Sequence, residues 1–214
     1  KHHISTEKAQ PMSYVSSVEQ LEKIYGVASP NATEKEINYV DDIYRPFIEK
    51  APFVALATVA DEGIDCSPRG DEAGFVRIAD EKTLIMPDRR GNNRTDSLRN
   101  IIRDPRTSFM FMIPGSNTVL RVNGQAKISI DEELLESFKV DGKAPRSAIV
   151  LKVDRIYFQC ARALMRSHLW NAENHIDPKS LPTPGQILAK LSNNEYGGEK
   201  YDREWPERAK ESMW

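Results

Sequence analysis

Residues 84–102 read LIMPDRRGNNRTDSLRNII, and the order of strand, loop and helix in this stretch decides the fold. Leu84, Ile85 and Met86 form an apolar run that ends as a strand at Pro87. Residues 88–93 make a loop with a lone Gly91 and two asparagines, able to turn and to present backbone N–H groups. A helix follows, with Thr95 or Asp96 as its cap, Leu98, Ile101 and Ile102 as its apolar side, and Asp104-Pro105 as its stop. Arg89, Arg90 and Arg94 crowd the approach to its N-terminus. Free amides, a positive dipole end and guanidinium forks together suit an anion, best a phosphate. A solvated loop that happens to be basic accounts for the same residues, so the rest of a site has to be sought elsewhere.

Working outward, the neighbouring segments are short strands in hairpin order. Residues 53–59 (FVALATV) read as a strand with small residues where something packs closely. Asp61-Glu62-Gly63 is a hairpin turn and residues 64–68 the returning strand. Residues 75–79 and 83–86 form a second hairpin around Asp80-Glu81-Lys82. Beyond the helix, residues 107–113 make a strand, Pro114-Gly115-Ser116-Asn117 a turn, and residues 118–130 a long strand. Gly124 inside that strand signals a bulge or bend. Asp131 caps a short helix carrying Leu134, Leu135 and Phe138, its acidic cluster being a solvated first turn. Residues 148–157 are the last long strand. Six or so strands in hairpin order, with one helix between the fourth and fifth, predict an antiparallel barrel rather than a doubly wound sheet.

The flanks are helical. Ser17-Val18-Glu19-Gln20 fits a capping box that opens a short helix with Val18, Leu21, Ile24 and Tyr25 on its apolar side and Gly26 at its end. A second helix is predicted from about Glu34 towards Lys50, its stripe being Ile37, Val40, Ile43, Tyr44, Phe47 and Ile48, with Pro46 kinking it. After Cys160 the chain turns polar. Thr183-Pro184 opens a short helix through Ile187, Leu188 and Leu191, and Trp205 and Trp214 are candidate anchors for a charged tail. The domains expected are residues 1–50, a helical segment packed on the barrel; 51–170, the barrel; and 171–214, a C-terminal extension.

Composition excludes several function classes. The 214 residues are 39% hydrophobic and 29% charged, with net charge −2 and no long run of either sign, which gives no electrostatic support for nucleic-acid binding. The longest apolar runs are too short to span a membrane. Cys66 and Cys160 are expected as buried free thiols of a reducing compartment, and with no secretory leader read, the expected location is the cytoplasm. Asn31-Ala32-Thr33 matches a glycosylation pattern that means little without a leader. Lys1-His2-His3 reads as the remnant of a tag, so both histidines are set aside. His168 and His175 have no cysteine or carboxylate at ligand spacing, so no metal site is expected. No Ser or Cys nucleophile motif is present.

The second half of a site lies at Asp65-Cys66-Ser67-Pro68-Arg69-Gly70-Asp71. Arg69 stands where a barrel strand runs into a loop, followed by a glycine that lets a ligand approach the backbone. A salt bridge from Arg69 to Asp71, Asp88 or Glu72 is the alternative.

Taken in order, these pieces resemble a known family. They are Ser67-Pro68-Arg69-Gly70-Asp71, Gly74-Phe75-Val76, Pro87-Asp88-Arg89, Gly91-Asn92-Asn93-Arg94 with Asp96-Ser97-Leu98, Pro114-Gly115, Leu120-Arg121-Val122-Asn123-Gly124, and the run from Cys160 through Ala161-Arg162-Ala163-Leu164-Met165-Arg166-Ser167-His168-Leu169 to Trp170. Together they resemble the pyridoxamine 5′-phosphate oxidase-like flavoproteins, and more closely a bacterial branch of them, over about residues 17–170.

The resemblance implies a mainly β protein, an FMN-binding split β-barrel, working as a homodimer with FMN at the interface. It implies that Arg69 and Arg94 hold the FMN phosphate, with Gly70, Asn92 and Asn93 beside them. Met86, Pro87 and Asp88 would lie along the isoalloxazine edge, and the partner subunit would close the pocket with Arg166, Ser167 and Trp170. Arg166 is the candidate charge near the flavin N1–O2 edge, with an interface salt bridge as the alternative. Trp170 would cover the ring or simply anchor the interface. No catalytic residue is assigned, since hydride passing to or from flavin N5 needs no protein nucleophile.

The function implied is an FMN-dependent oxidoreductase acting on a small molecule. A flavin-binding or redox-sensing protein without turnover, or a split barrel using deazaflavin or haem, are the alternatives. Two positions depart from the family pattern. Ala161-Arg162 replaces a proline–lysine pair, and an arginine is no simple copy of a lysine. Arg90 stands where a proline is common. The tail that binds pyridoxamine phosphate has no match, so that substrate is not carried over.

Overall fold

Alternation turns the middle of the chain into a sheet. Val54, Leu56 and Thr58 are buried while the residues between them are not, the period-two pattern of a strand with one face on a core. The computed structural model describes residues 13–61 and 63–213. In chain order the elements begin with α1 (Val18–Tyr25), α2 (Pro30–Thr33) and α3 (Arg45–Glu49), then β1 (Phe53–Ala60), β2 (Gly63–Gly70), β3 (Arg77–Asp80) and β4 (Thr83–Asp88). They continue with α4 (Asp96–Arg103), β5 (Arg106–Met112), β6 (Val119–Ser129), α5 (Glu132–Ser137), β7 (Ser147–Gln159), α6 (Arg162–Ser167), α7 (Pro184–Leu191) and α8 (Gly198–Glu211).

The chain divides into two compact units, the first ending at Lys35 and the second beginning at Glu36. In the first, the Ser17 hydroxyl accepts from the Gln20 amide and Gly26, at φ 73°, stops α1. The Gln20 side chain returns a bond to the Ser16 amide rather than to Ser17. Of the polar N-terminal stretch, residues 1–12, with His2 and His3, lie outside the described residues.

The second unit holds a seven-stranded sheet in the order β2-β1-β5-β6-β7-β4-β3, every pairing antiparallel. This is the predicted antiparallel split barrel, mainly β with helices attached. Its core is one apolar cluster that includes Val54, Leu56, Leu84, Met86, Phe109, Phe111, Leu120, Ile149, Leu151 and Ile156, with Ile48 of α3 and Ile101 of α4 packed into it. β1 and β2 meet at Ala60 and Gly63, as the hairpin expectation requires, although Glu62 of that turn lies outside the described residues. The register of β6 on β7 shifts between Asn123 and Gly124. A Cβ on Gly124 would run into the Lys152 carbonyl oxygen, which is why this strand carries a glycine at its bulge.

Helix α4 is held against β1 and β2 by more than its apolar side. Buried Asn100 donates to Thr58 Oγ1 at 3.1 Å and to Asp65 Oδ2 at 2.8 Å, and Ser97 donates to Ser67 at 3.3 Å. A buried amide with its partners in place fixes the helix's rotation as well as its depth.

Several expectations need correction. The helix predicted over residues 34–50 reduces to α3. Ile37 instead exchanges backbone hydrogen bonds with Ile156 of β7, and the Val40 amide donates to the Glu81 carbonyl, so these amides serve the sheet rather than a helix. The Asp41 carboxylate accepts from the Ile43 and Tyr44 amides, and Pro46 sits in the first turn of α3, where proline is tolerated, rather than kinking a long helix. The charged tail is ordered as α8, with the Tyr201 and Trp205 rings stacked 6.2 Å apart; Trp214 lies outside the described residues. Cys66 and Cys160 are free thiols as expected, but both are exposed rather than buried.

Candidate functional site

Two loops define a cavity. The end of β2 presents Pro68, Arg69 and Gly70, and the end of β4 runs through Pro87 and Asp88 into the loop of residues 89–95. In sheet order β2 and β4 are five positions apart, which in a flat sheet is about 24 Å at 4.7–4.9 Å per strand. Curling of the sheet brings Arg69 Nη2 to 3.7 Å from Asp88 Oδ1. The cavity between them has a volume of about 600 Å³, within the range of small-molecule sites. Residues 143–147, the run Lys-Ala-Pro-Arg-Ser that leads into β7, supply its third wall.

The loop turns differently from the sequence expectation. The left-handed residues are Asn93 (φ 60°) and Thr95 (φ 57°), not Gly91. For a β-branched residue this conformation is strained, and Thr95 makes no side-chain cap for α4. The Asn92 side chain accepts from the Arg94 amide at 3.0 Å, and Asn93 Oδ1 accepts from Arg146 at 3.3 Å, joining two cavity walls. Thr95 and Leu98 bring the first turn of α4, with its unsatisfied amides, to the cavity edge.

The lining is strongly basic: Arg69, Arg89, Arg90, Lys143 and Arg146 against Asp88. Arg89 is already engaged, by Asp71 at 2.7 Å and the Phe138 carbonyl at 2.8 Å. Arg69 is not satisfied. Its Nη1 donates to the Pro68 carbonyl at 3.1 Å, but its buried Nε has no hydrogen-bond partner. A buried, unpartnered guanidinium N–H is costly, and the exposed part of the same guanidinium lines the cavity. Burial pushes the Asp88 carboxyl above the ordinary carboxylate range, with the neighbouring Arg69 charge pulling the other way.

The predicted site residues separate into three groups. Arg69, Gly70, Pro87, Asp88, Asn92 and Asn93 line the cavity together. Met86 is fully buried in the core and does not line the cavity. The Arg94 side chain is 78% exposed and paired with Asp96, outside the cavity lining. Arg166, Ser167 and Trp170 lie on and after α6, also outside this chain's cavity. Ser167 Oγ donates to the Leu164 carbonyl at 3.1 Å and Trp170 Nε1 to the Ser116 carbonyl at 2.8 Å. Lys143 and Arg146 were missed. The basic pair flanking Pro145 just before a strand was the available signal, the same grammar that singled out Arg69 after Pro68.

An antiparallel split barrel with one basic cavity between two strand ends defines the class of protein. Residues 40–160 match the family profile for pyridoxamine 5′-phosphate oxidase, more than half the chain. The chain therefore belongs to the pyridoxamine 5′-phosphate oxidase family. No curated protein matches it. Among solved structures, HupZ of Group A Streptococcus is similar at 20% identity and TM-score 0.46, over 56% of this chain and 93% of that one. General Stress Protein 26 of Bacillus anthracis is similar at 16% identity and TM-score 0.42, over 53% and 88%. An F420 reductase is similar at 18% identity and TM-score 0.41, over 56% and 98%. Family membership rests on the profile match rather than on these structures.

Among the described residues no helix is long and apolar enough to cross a membrane, and no group of three or more His, Cys, Asp or Glu is placed to hold a metal.

Proposed function

We propose that this protein binds FMN in the cavity between β2 and β4 and serves as an FMN-dependent oxidoreductase for a small molecule. The observation that carries the reading is Arg69, whose part-exposed guanidinium lines a basic cavity of about 600 Å³ and meets Asp88 only at 3.7 Å. A phosphate ester gives the Arg69 guanidinium a charged acceptor, and the flanking cations and the first turn of α4 share its charge. FMN, when bound, supplies hydride chemistry at N5. This chain's residues do the rest. Arg69 holds the phosphate, with Asn92 and Asn93 shaping the loop beside it. Gly70 lines the wall beside Arg69, and Pro87 at the end of β4 borders the ring. A proline at position 87 and a core-anchored Met86 make that edge rigid.

The proposal includes a cytoplasmic homodimer. Arg166, Ser167 and Trp170 of the partner subunit would then complete the pocket, which accounts for their position outside this chain's own cavity. Arg166 would place a positive charge at the N1–O2 edge.

The test is to purify the protein without added cofactor, record its visible spectrum, then release and identify any chromophore by heating. The expected result is a yellow protein that releases FMN at about one per chain, one for each cavity between β2 and β4. A colourless protein that takes up no added FMN overturns the reading. Release of a deazaflavin or a haem would keep the fold and replace the cofactor.

A further inference from the structure

Among the described residues lining the cavity, Asp88 is the one carboxylate. It ends β4 directly across from Ser147 of β7, and the Arg69 guanidinium reaches it from β2 at 3.7 Å. That separation makes an ion pair without a hydrogen bond. The other charges around it are Arg89 and Arg90 in the loop that follows, and Lys143 and Arg146 in the segment before β7. Of these, Arg89 is committed to Asp71 and the Phe138 carbonyl, and Arg146 leans on Asn93.

An anion bound in the cavity by the exposed part of the Arg69 guanidinium thus shares it with a carboxylate that is itself poorly placed to bond. Two negative groups on one guanidinium, with the Arg69 and Asp88 side chains only 24% and 21% exposed, repel each other more strongly than they would in bulk water. A protonated Asp88 reverses the sign of the contact, because the neutral acid has an O–H to donate.

Resting on the reading of this cavity as an anion site, we propose that Asp88 determines its specificity by binding the anion only as the neutral acid, so that each anion bound takes one proton with it. The carboxylate picks up a proton from solution, that O–H donates to an anion oxygen, and no covalent bond to the anion is made or broken. Burial already holds the Asp88 acid form above the ordinary range before any anion arrives. The site then distinguishes an oxyanion, whose oxygens accept from an acid, from ligands that require a carboxylate acceptor there.

The experiment is calorimetry of inorganic sulfate, whose charge is constant near neutral pH, against the full chain, Asp88→Asn and Arg69→Gln. In the wild type, affinity is expected to fall by up to about tenfold per pH unit as pH rises, with about one proton taken up per sulfate in buffers of different ionisation enthalpy. Asp88→Asn, which keeps an N–H donor and cannot ionise, is expected to bind at least as tightly as the wild type at low pH and equally across the range. Arg69→Gln is expected to lose binding. A wild-type pH slope that survives in Asp88→Asn, or weaker binding by that variant throughout, overturns the proposal. If sulfate fails to bind while FMN still binds through Arg69, the Asp88 proposal falls and the cofactor reading stands. If neither binds, both fall.

Discussion

Arg89 Nε donates to Asp71 Oδ2 across 2.7 Å, and through this pair the loop leaving β4 is fastened to the chain leaving β2. The Asp71 side chain is 3% exposed, and its other oxygen accepts from the Glu72 amide at 2.7 Å. Arg89→Ala strands that carboxylate, so it is expected to lower stability by about 3 kcal/mol, the usual cost of removing one partner of a buried pair. Urea denaturation at neutral pH measures it. A loss below about 1 kcal/mol would mean that water replaces the guanidinium.

Arg69 and Arg94 were both expected to hold a phosphate, but they are placed differently. Arg69→Ala is expected to weaken FMN binding about 10- to 100-fold, the range for a charge-assisted bond of 1.5–3 kcal/mol. Arg94, exposed and engaged by Asp96, is expected to contribute less. Flavin fluorescence titration of the two variants decides between them. Equal losses would show that Arg94 leaves Asp96 to reach the ligand.

Asp104 has the clearest pH signature. Side-chain and backbone hydrogen bonds involving Arg106 hold its carboxyl at about 2, below the ordinary carboxylate value. The folded pKa is the lower one, so the pair's contribution is present at neutral pH and disappears as pH falls from about 4 towards 2. Carboxyl-carbon NMR titration should show this low value, and Arg106→Ala should return it to the ordinary range. Arg106 is exposed and Asp104 part-exposed, so added salt should raise it too.

One carboxylate ties the C-terminal pair of helices together at the start of α7. Asp202 of α8 accepts from Thr183 Oγ1 at 2.5 Å and from the Gly185 amide at 2.8 Å, at the capped start of α7. Asp202→Ala is expected to speed limited proteolysis between α7 and α8 while leaving the barrel's melting temperature within about 2 °C, since distant sites act independently. A barrel that melts markedly earlier would tie this hairpin to the core.

The strands were legible in the sequence because alternation and turn residues agree. The Gly124 bulge, the Asp131 cap and the position of α4 were all visible as local chemistry. Residues 34–50 were misread because Ile37, Val40 and Tyr44 satisfy a helical stripe equally well, and only the distant Ile156 and Glu81 decide otherwise. The same limit hid Lys143 and Arg146, which join the cavity through strand pairing rather than through any spacing to Arg69. Helix α8 escaped notice because none of its residues is buried and a proline stands inside it, so no apolar stripe announces it. Cysteine's usual preference for the interior predicts buried thiols, yet Cys66 and Cys160 are both exposed.

The position of β2 and β4 in the sheet has a kinetic consequence. An isolated β1–β2 hairpin carries Arg69, and a β3–β4 hairpin carries Asp88, but nothing brings the two together until β1, β5, β6 and β7 are all in register. No partly assembled intermediate can therefore offer the cavity, and a ligand that binds there recognises only chains that have finished closing. Such a ligand withdraws completed molecules from the refolding equilibrium and slows their loss. It makes occupancy a readout of whole-barrel integrity, and amides as remote as those of β5 should gain hydrogen-exchange protection when the site is filled.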